Sequence, residues 1–548
     1  MSVPLLSVTD LVVDFKTRAG NARVLDHISL SVSENKILGI VGESGCGKSM
    51  TALAIMGLVP DPPGVISSGS IKFAGREMVG LQSSELCNIR GKEIGMIFQE
   101  PMTALNPLKT IGSQITETLH THSKISKAEA NEIALEKLAR VGLGGGRISE
   151  NTYPHELSGG QRQRVMIAQA IAWQPALLIA DEPTTALDVT TQAGILELLR
   201  DLVDNEGLSI MLISHDLAVL ADMADHVSIM ENGAIVEGGA TEPLFRGHRH
   251  PYTQKLFAAA SHIPIQPLAK FREPLLTVEN LRISYRKKST KLFGKATKFE
   301  AVSDVSLQIL EGESVGLVGE SGCGKSTLAR AILGLQPIDT GRIELAGATI
   351  ASVNNPEAEM RKGKAISSPA GLQQIVFQDP YGSFNPRHKV GRLIAEPFHA
   401  IPDAPSGKEM VLRIDAALEE VGLSSTDRDK YIHEFSGGQR QRIAIARALV
   451  IKPKLILLDE AVSALDVSIR AQILDLLAEL RVTHGLSYLF ISHDLSVVRA
   501  ITDRVLVMLN GQILESGKTS EVLSAPHHDY TKQLIAFTPQ IPADWISQ

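Results

Sequence analysis

Two copies of one octapeptide carry the side chains with the clearest chemistry in this sequence. GESGCGKS occupies 42–49 and recurs at 319–326, each time after an apolar run and before a helical pattern. In this context the glycines let backbone N–H groups converge on phosphate oxygens, and the helix start adds partial positive charge. Lys48 and Lys325 can reach the β and γ phosphates of a nucleotide, and the serine after each lysine can ligate Mg²⁺. The sequence therefore predicts two phosphate-binding loops.

Paired carboxylates end two further apolar runs. LLIADE ends in Asp181 and Glu182, and LILLDE ends in Asp459 and Glu460. Alone, such an ending is as typical of a polar strand end as of a site. Downstream of a phosphate-binding loop it predicts a magnesium site, in which the aspartate holds the metal through water and the glutamate orients or deprotonates the attacking water.

A histidine follows another apolar run in each half of the chain. MLISHDL contains His215 and LFISHDL contains His493, and each histidine lies 33 residues after the corresponding glutamate. A lone histidine at a strand end is more often structural than catalytic. Because the spacing is the same in both halves, the pattern favours a catalytic role.

These features recur because the chain is an internal duplication. Five landmarks, from the loop lysines to the histidines, keep an offset of 277 to 279 residues. Each copy begins with alternating apolar residues and ends in a strand-turn-strand pattern around a glycine, and strand-loop-helix units between them are typical of a layered α/β domain. The stretch 261–273, with two prolines, is the predicted linker between a first domain at 1–260 and a second at 274–548, each with a C-terminal tail.

Composition excludes some classes of function. The net charge of -7 argues against a nucleic-acid-binding protein, because such proteins need a basic surface. No stretch approaches the roughly 18 apolar residues that span a bilayer, so a membrane role would be peripheral. Three cysteines without metal-ligand spacing favour a reducing cytosol. The basic run 286–298 is interpreted as a solvated loop, with a lipid- or partner-facing patch as the alternative.

Two short signatures complete a pattern that resembles the ABC ATPases over essentially the whole chain. They are LSGGQ at 157–161 and FSGGQ at 435–439, and from the residues alone each is a serine N-cap with two glycines that open a helix. The resemblance implies an α/β fold with two P-loop NTPase (RecA-like) ABC nucleotide-binding domains in tandem, each with an antiparallel β subdomain and a helical signature subdomain. It also implies two ATP sites formed head to tail, in which the signature of one domain closes over the ATP held by the loop of the other.

Carried onto this sequence, the resemblance implies ATP and Mg²⁺ as cofactors. The implied catalytic side chains are Glu182, Glu460, His215, His493, Gln99 and Gln378. The implied metal ligands are Ser49, Gln99, Asp181, Ser326, Gln378 and Asp459. The implied nucleotide contacts are Phe15, Gly42, Ser44, Gly45, Cys46, Gly47, Lys48, Ser49, Met50, Ser158, Gly159, Gly160, Gln161, Tyr285, Gly319, Ser321, Gly322, Cys323, Gly324, Lys325, Ser326, Thr327, Ser436, Gly437, Gly438 and Gln439.

Some of these residues have a second interpretation. Phe15 and Tyr285 resemble the aromatic residue that stacks on adenine in this family, but single aromatics in strands can equally belong to a core. Cys46 and Cys323 fit their loops as small residues, and a reactive thiol at a helix start is the alternative. The second copy reads DEAVSALD where the family usually has DEPTSALD. No catalytic side chain is lost, so both sites are expected to hydrolyse ATP, and a slower second site stays open.

A closer resemblance is to the ATPases of peptide importers. QEPMTALNP and QDPYGSFNP resemble their coupling region, and HPYTQKL and HDYTKQL resemble their tail. The two-in-one layout resembles the fused ATPase of bacterial oligopeptide and microcin C importers. This implies an ATP-hydrolysing subunit that imports peptides, two transmembrane permease subunits and a periplasmic or extracellular peptide-binding protein as partners, and a peripheral location on the cytoplasmic face of the bacterial inner membrane.

Two other functions compete with peptide import. A tandem ABC ATPase acting on ribosomes or DNA typically has a long charged linker and basic character, whereas this sequence has a short linker and a net negative charge. An ABC importer for another small solute, such as nickel or a sugar, is the other alternative. Tandem sugar-import ATPases commonly have one degraded loop, and here both loops are intact.

Overall fold

The computed structural model describes residues 4–17, 20–146, 148–185, 187–265, 273–287, 297–352, 371–379, 382–401, 403–463 and 465–546. The chain divides into two compact units. The first comprises Met1–Ser261 with Asp466–Ser468 and Pro539–Gln548, and the second comprises His262–Leu465 with Ile469–Thr538. Residues 266–272 of the predicted linker and 288–296 of the predicted basic loop lie outside the described residues, and the predicted domain limits stay predictions.

The first half of the chain alternates strands and helices. Its strands are β1 (Leu6–Thr17), β2 (Gly20–Val32), β3 (Ile37–Val41), β4 (Gly64–Phe73), β5 (Arg76–Glu77), β6 (Ile94–Ile97), β7 (Leu177–Asp181), β8 (Ser209–Ile213), β9 (His226–Glu231) and β10 (Ala234–Ala240). Its helices are α1 (Lys48–Ile55), α2 (Ser83–Ile89), α3 (Pro101–Ala104), α4 (Ile111–His122), α5 (Lys127–Arg140), α6 (Gly159–Ala170), α7 (Val189–Glu206), α8 (Leu217–Met223), α9 (Thr241–Gly247) and α10 (Pro251–Ala260), with a 3₁₀ turn at Pro154–Glu156.

The second half repeats the order of the strands. Its strands are β11 (Pro274–Lys287), β12 (Thr297–Leu310), β13 (Ser314–Val318), β14 (Thr340–Leu345), β15 (Ala348–Ser352), β16 (Gln373–Val376), β17 (Leu455–Asp459), β18 (Ser487–Ile491), β19 (Arg504–Leu509) and β20 (Gln512–Lys518). Its helices are α11 (Lys325–Ile332), α12 (Val390–Ala395), α13 (Gly407–Glu420), α14 (Gly437–Leu449), α15 (Val467–His484), α16 (Leu495–Ile501), α17 (Thr519–Val522), α18 (Asp529–Ala536) and α19 (Ala543–Ile546), with 3₁₀ turns at Glu396–Ala400, Ser425–Asp429 and Ile432–Glu434.

Each unit contains two sheets. In the first unit an antiparallel sheet has the order β2-β1-β4-β5, and a six-stranded sheet has the order β10-β9-β3-β8-β7-β6. In the second unit the corresponding orders are β12-β11-β14-β15 and β20-β19-β13-β18-β17-β16. In the first unit the neighbouring pairs β6-β7, β7-β8, β8-β3 and β3-β9 are parallel, and β10 pairs antiparallel with β9. The predicted α/β fold with an antiparallel subdomain in each half is confirmed.

The parallel strands form because their sequences are apolar on both faces. Every residue of β3, β7 and β8 is buried, as is every residue of β13 and β18. Strands covered on both sides by helices read as continuous apolar runs, which is how the sequence could locate them. Because parallel strands end at one edge of the sheet, the segments that follow β3, β7 and β8 meet there.

A layer of helices carries each signature. In the first unit α4 and α5 pack against α6, with Ile115, Leu119, Leu138 and Val165 buried between them. In the second unit α12 and α13 pack against α14 in the same way. The predicted helical signature subdomains are therefore present. Within the described part of the chain, no helix is both long enough and apolar enough to cross a lipid bilayer.

Candidate active site

The phosphate-binding loops join a central strand to a helix in each unit, and their glycines are required by space and by backbone conformation. A Cβ atom at Gly42 would lie 2.2 Å from the backbone oxygen of Met230, and one at Gly319 would lie 2.1 Å from that of Met508. Gly47, the N-cap of α1, has φ 106°, and the matching glycine before α11 has φ 112°. An L side chain rarely adopts this left-handed conformation, so the octapeptide can close into its loop only with glycine there.

Each loop wraps around its own lysine. The Lys48 ammonium donates hydrogen bonds to the carbonyl oxygens of Gly42 at 2.7 Å and Glu43 at 2.9 Å. Lys325 makes the same two bonds, at 2.7 and 2.8 Å. Both lysines are buried, with 6% of their surface exposed. The positive charge of each lysine is thereby held inside the backbone loop.

The loop cysteines are buried beside these lysines. Burial raises the pKa of the Cys46 thiol, and the positive charge of Lys48 only partly opposes that rise. Burial likewise raises the pKa of Cys323, against the charge of Lys325. A raised pKa reduces the thiolate fraction, which is the reactive form. The geometry therefore favours the interpretation as small loop residues over that as reactive thiols.

We expect alkylation to distinguish these two interpretations. Cys87 is exposed, whereas Cys46 and Cys323 are buried. With iodoacetamide at neutral pH, peptide mass spectrometry is expected to show Cys87 modified well before either loop cysteine, because Cys87 is accessible and the raised pKa of Cys46 and Cys323 lowers their thiolate fraction. Modification of Cys46 at the rate of Cys87, unchanged by ATP, would contradict this expectation.

The aspartates that end β7 and β17 are buried carboxylates. Burial raises the pKa of Asp181; a hydrogen bond from Ser49 and the charge of Lys48 oppose the rise, and the charge of Glu182 adds to it. Among the described residues, Asp181 Oδ1 has no hydrogen-bond partner although it is buried. A buried carboxylate oxygen without a donor, next to a serine hydroxyl, fits a magnesium site. Burial and the charge of the adjacent glutamate raise the pKa of Asp459 in the second unit too.

The glutamates that follow these aspartates have strained backbones. Glu182 has φ 47° and Glu460 has φ 50°, in the left-handed region. The backbone N–H of Glu182 donates to the Ile213 oxygen at 3.0 Å, and that of Glu460 donates to the Ile491 oxygen at 2.9 Å. This conformation costs a non-glycine residue about 1–2 kcal/mol, and such strain is concentrated at functional sites.

Three donors surround the carboxylate of Glu182. The Gln99 amide donates to its Oε2 at 3.0 Å, the Thr185 hydroxyl donates at 2.9 Å, and His215 Nδ1 lies at 3.3 Å. Burial raises the pKa of Glu182, but the hydrogen bond and charge of His215, the Thr185 hydroxyl and the charge of Lys48 lower its pKa to about 2. At neutral pH Glu182 is therefore ionised and can accept a hydrogen bond from water.

In the second unit, as far as the structure describes it, the glutamate carboxylate lacks the hydroxyl donor that Thr185 provides in the first. Gln378 donates to Glu460 Oε2 at 2.6 Å, and His493 Nδ1 lies 3.3 Å from Oε1. Ser463 donates instead to the backbone oxygen of Glu460, at 2.9 Å. Burial raises the pKa of Glu460, and His493, the charge of Lys325 and Gln378 lower it overall.

The contact between Glu460 and His493 also changes the pKa of the histidine. Burial lowers the pKa of His493, but the hydrogen bond and negative charge of Glu460 raise it overall, with a further contribution from Asp494. A raised pKa favours the protonated ring, and the protonated ring in turn holds Glu460 as a carboxylate. The pair is thus stabilised in its charged form.

Each signature begins a helix with a reciprocal cap. The Ser158 hydroxyl accepts the N–H of Gln161 at 3.3 Å, and the Gln161 side chain accepts the N–H of Ser158 at 2.9 Å. Ser436 and Gln439 make the same pair at 3.4 and 3.0 Å. The N-cap and helix start indicated by the sequence are therefore present. A cap of this kind leaves the helix N-terminus suited to a nearby anion.

The two candidate adenine-stacking aromatics differ in their surroundings. Phe15 is half-buried and packs against the core of its own subdomain, as does Met50. Tyr285 is 37% exposed, and its hydroxyl lies 3.4 Å from that of Thr327 on α11. Tyr285 thus lies next to the helix that follows the phosphate-binding loop. For Phe15, adenine stacking and core packing both remain open. The stacking role stays a prediction for both.

Two kinds of residue at these sites are not predicted from the sequence. Thr185, which bonds the Glu182 carboxylate, carries no signal apart from its place three residues after the glutamate. Tyr252 and Tyr530 contact the phosphate-binding loops from the C-terminal tails. Their shared offset of 278 residues is the signal that could have identified them.

Comparison with known proteins agrees with this geometry. The family profile described as "ABC transporter" matches residues 25–185 and 302–463. The profile described as "Oligopeptide/dipeptide transporter, C-terminal region" matches 236–277 and 514–547. Both profiles match once in each half, in agreement with the duplication.

Several proteins are similar over nearly the full length. The peptidoglycan transport ATP-binding protein YejF of Agrobacterium fabrum is 45% identical over 540 residues, covering 98% of this chain and 97% of that protein. An uncharacterized ABC transporter ATP-binding protein YejF of Escherichia coli is 41% identical, covering 98% and 100%. The glutathione import ATP-binding protein GsiA of Escherichia coli is 41% identical, covering 98% and 89%. The resemblance to fused peptide-importer ATPases is confirmed.

Proposed function

The chain belongs to the ABC transporter family as an ATP-hydrolysing, importer-type subunit with oligopeptide/dipeptide transporter tails, and we propose that both of its nucleotide sites drive peptide import through permeases on other chains. One observation carries the proposal. In each unit the loop lysine, the buried aspartate and the strained glutamate with its glutamine and histidine lie at one edge of the parallel sheet. This duplicated set supplies side chains that can hold the phosphates, a metal ion and the attacking water.

The side chains of each site have different roles in ATP hydrolysis. Lys48 and the loop N–H groups hold the β and γ phosphates and stabilise the charge that develops there. Glu182, ionised and fixed by its three donors, accepts a hydrogen bond from the attacking water and aligns it with the γ-phosphorus. Gln99 and His215 keep that carboxylate in place. In the second unit Lys325 and Glu460 have the corresponding roles.

The serine and aspartate of each unit fit a magnesium ion. We propose that Ser49, Asp181 and Gln99 would hold it in the first unit, and that Ser326, Asp459 and Gln378 would do so in the second. When bound, Mg²⁺ would supply positive charge that neutralises the phosphates. The unpartnered Asp181 oxygen and the Ser49 hydroxyl beside it support the assignment.

Each nucleotide site is proposed to be completed by the signature of the other unit. Ser436, Gly437 and Gly438 would face the γ-phosphate held by the first loop, and Ser158, Gly159 and Gly160 would face that held by the second. The support is local to each signature, because the capped helix start offers N–H groups and partial positive charge to an anion.

The family membership implies membrane-embedded permease partners and peripheral association with a membrane. We propose two transmembrane permease subunits, a periplasmic or extracellular peptide-binding protein, and a position on the cytoplasmic face of the bacterial inner membrane. The cargo is proposed to be an oligopeptide, a dipeptide or a microcin C-like peptide. The two matched tails support a peptide over nickel or a sugar.

Reconstitution tests this proposal. The chain, co-expressed with candidate peptide-importer permeases from the same organism, is expected to co-purify with them and to hydrolyse ATP faster in proteoliposomes when a peptide-loaded binding protein is added. Empty binding protein serves as the control. Co-purification with ribosomes or DNA, together with hydrolysis that does not respond to peptide, would support the competing class.

A further inference from the structure

A tyrosine from each C-terminal tail contacts the phosphate-binding loop of the same unit. Tyr252 lies in the first turn of α10, and its hydroxyl accepts a hydrogen bond from the backbone N–H of Glu43 at 3.1 Å. Tyr530 lies in the first turn of α18 and accepts from the N–H of Glu320 at 3.0 Å. Both tyrosines are buried, with 8% of their surface exposed. The bond joins residues about two hundred positions apart, and it occurs in both units.

The tyrosine hydroxyl and the loop lysine hold opposite sides of one peptide group. The peptide between Gly42 and Glu43 gives its oxygen to the Lys48 ammonium at 2.7 Å and its N–H to Tyr252. The peptide between Gly319 and Glu320 is held in the same way by Lys325, at 2.7 Å, and by Tyr530. A peptide group bonded on both sides cannot rotate without breaking a hydrogen bond.

The tail helix that carries the tyrosine is itself anchored. His250 is the N-cap of α10, and its Nδ1 accepts the N–H of Tyr252 at 3.3 Å. The Glu237 carboxylate, on β10, accepts the N–H groups of Arg249 at 2.7 Å and of His250 at 3.1 Å. The tyrosine is thus joined through its helix start to the strand at the edge of the sheet.

The second unit repeats each of these anchors. His528 Nδ1 accepts the N–H of Tyr530 at 3.1 Å. Glu515 on β20 accepts the N–H groups of His527 at 2.8 Å and of His528 at 3.1 Å. Three bonds that recur after duplication and divergence of the surrounding sequence indicate a shared requirement.

We propose that Tyr252 and Tyr530 are positioning residues for ATP: by fixing the first peptide group of each loop, they hold the loop lysine where it meets the phosphates. The proposal rests on the proposed function and extends it, because it gives the family-specific tail a part in nucleotide binding. Tyrosine suits this task because its ring is rigid and its hydroxyl can accept a hydrogen bond deep in the protein.

Removal of the hydroxyl alone tests the proposal. Tyr252→Phe and Tyr530→Phe keep the ring and its packing. Because one hydrogen bond to the loop is lost, the double variant is expected to bind a fluorescent ATP analogue with Mg²⁺ about three- to tenfold more weakly and to raise the KM for ATP by a similar factor. The kcat at saturating ATP is expected to stay within about twofold of the wild type, since the groups that act on water are untouched.

Tyr488→Phe is the matched control. Tyr488 is buried in the second unit, and its hydroxyl donates to the Leu477 oxygen at 2.9 Å, so its removal also deletes one buried hydrogen bond. The control is expected to lower the melting temperature while leaving the KM for ATP unchanged. If Tyr530→Phe behaves like this control, with lower stability and unchanged KM, the tyrosine has a purely structural role and the proposal is wrong.

A second variant weakens the hydrogen bond between Tyr530 and Glu320 indirectly, through the start of α18. His528→Ala removes the N-cap that holds Tyr530. Like Tyr530→Phe, it is expected to raise the KM for ATP. An unchanged KM in both His528→Ala and Tyr530→Phe would overturn the proposal. Failure of the wild-type chain to bind ATP is a different result and would contradict the proposed function itself.

Discussion

Replacing both strained glutamates with glutamine, as Glu182→Gln and Glu460→Gln, is expected to lower the maximal rate of ATP hydrolysis by about 10²-fold or more. Glutamine keeps the size of the side chain and the same left-handed backbone, so the loops and the fold should be preserved. It removes the negative oxygen that accepts a hydrogen bond from water. In the first unit of the wild type, burial raises the pKa of Glu182, but the hydrogen bond and charge of His215, the Thr185 hydroxyl and the charge of Lys48 lower it to about 2, so the carboxylate is ionised.

The readout is phosphate release at saturating ATP, with nucleotide binding measured in parallel. We expect the double variant to retain ATP, because the lysines, serines and aspartates are unchanged. Each single variant reports on the remaining site, and Glu34→Gln, at an exposed turn, is the control. Hydrolysis at the wild-type rate in the double variant would exclude the assigned role of the glutamates.

Gly42→Ala and Gly319→Ala are expected to weaken ATP binding by at least about tenfold and to lower the free energy of unfolding by about 1–3 kcal/mol. The added methyl carbon would lie 2.2 Å from the Met230 backbone oxygen, or 2.1 Å from that of Met508. A backbone carbonyl cannot rotate away as a side chain can, so the loop itself must shift. The peptide that holds the lysine is the part that would move.

Nucleotide titration and thermal unfolding measure these two effects. Gly239→Ala is the control, because a Cβ atom there would have nothing within 4 Å. We expect this variant to bind ATP and to unfold as the wild type does. Normal ATP affinity and stability in Gly42→Ala would show that the loop does not need the close approach to β9 that the structure contains.

Much of the fold could be predicted because buried parallel strands appear in the sequence as continuous apolar runs. The apolar runs before Ser44, Asp181 and His215 are strands covered on both faces, and their shared sheet edge follows from the parallel order. The signature helices were predictable for a similar reason, because a serine cap and the glutamine three residues later act within one turn.

The remaining features depend on contacts that leave no periodic pattern. The bond from Tyr252 to the Glu43 N–H joins two segments far apart in the chain, and neither segment alone indicates the other. The change from Thr185 to Ser463 looks conservative, yet Thr185 donates to a carboxylate and Ser463 to a backbone oxygen. The direction of a short hydroxyl depends on local packing, which residue type does not specify.

The left-handed glutamates have a consequence for the stability of the chain. Glycine or asparagine would adopt the conformation of residues 182 and 460 at lower steric cost, so stability alone would favour them over glutamate. Instead, both halves retain the amino acid that their own backbone disfavours. A residue that lowers stability in both units is consistent with a working role for both glutamates.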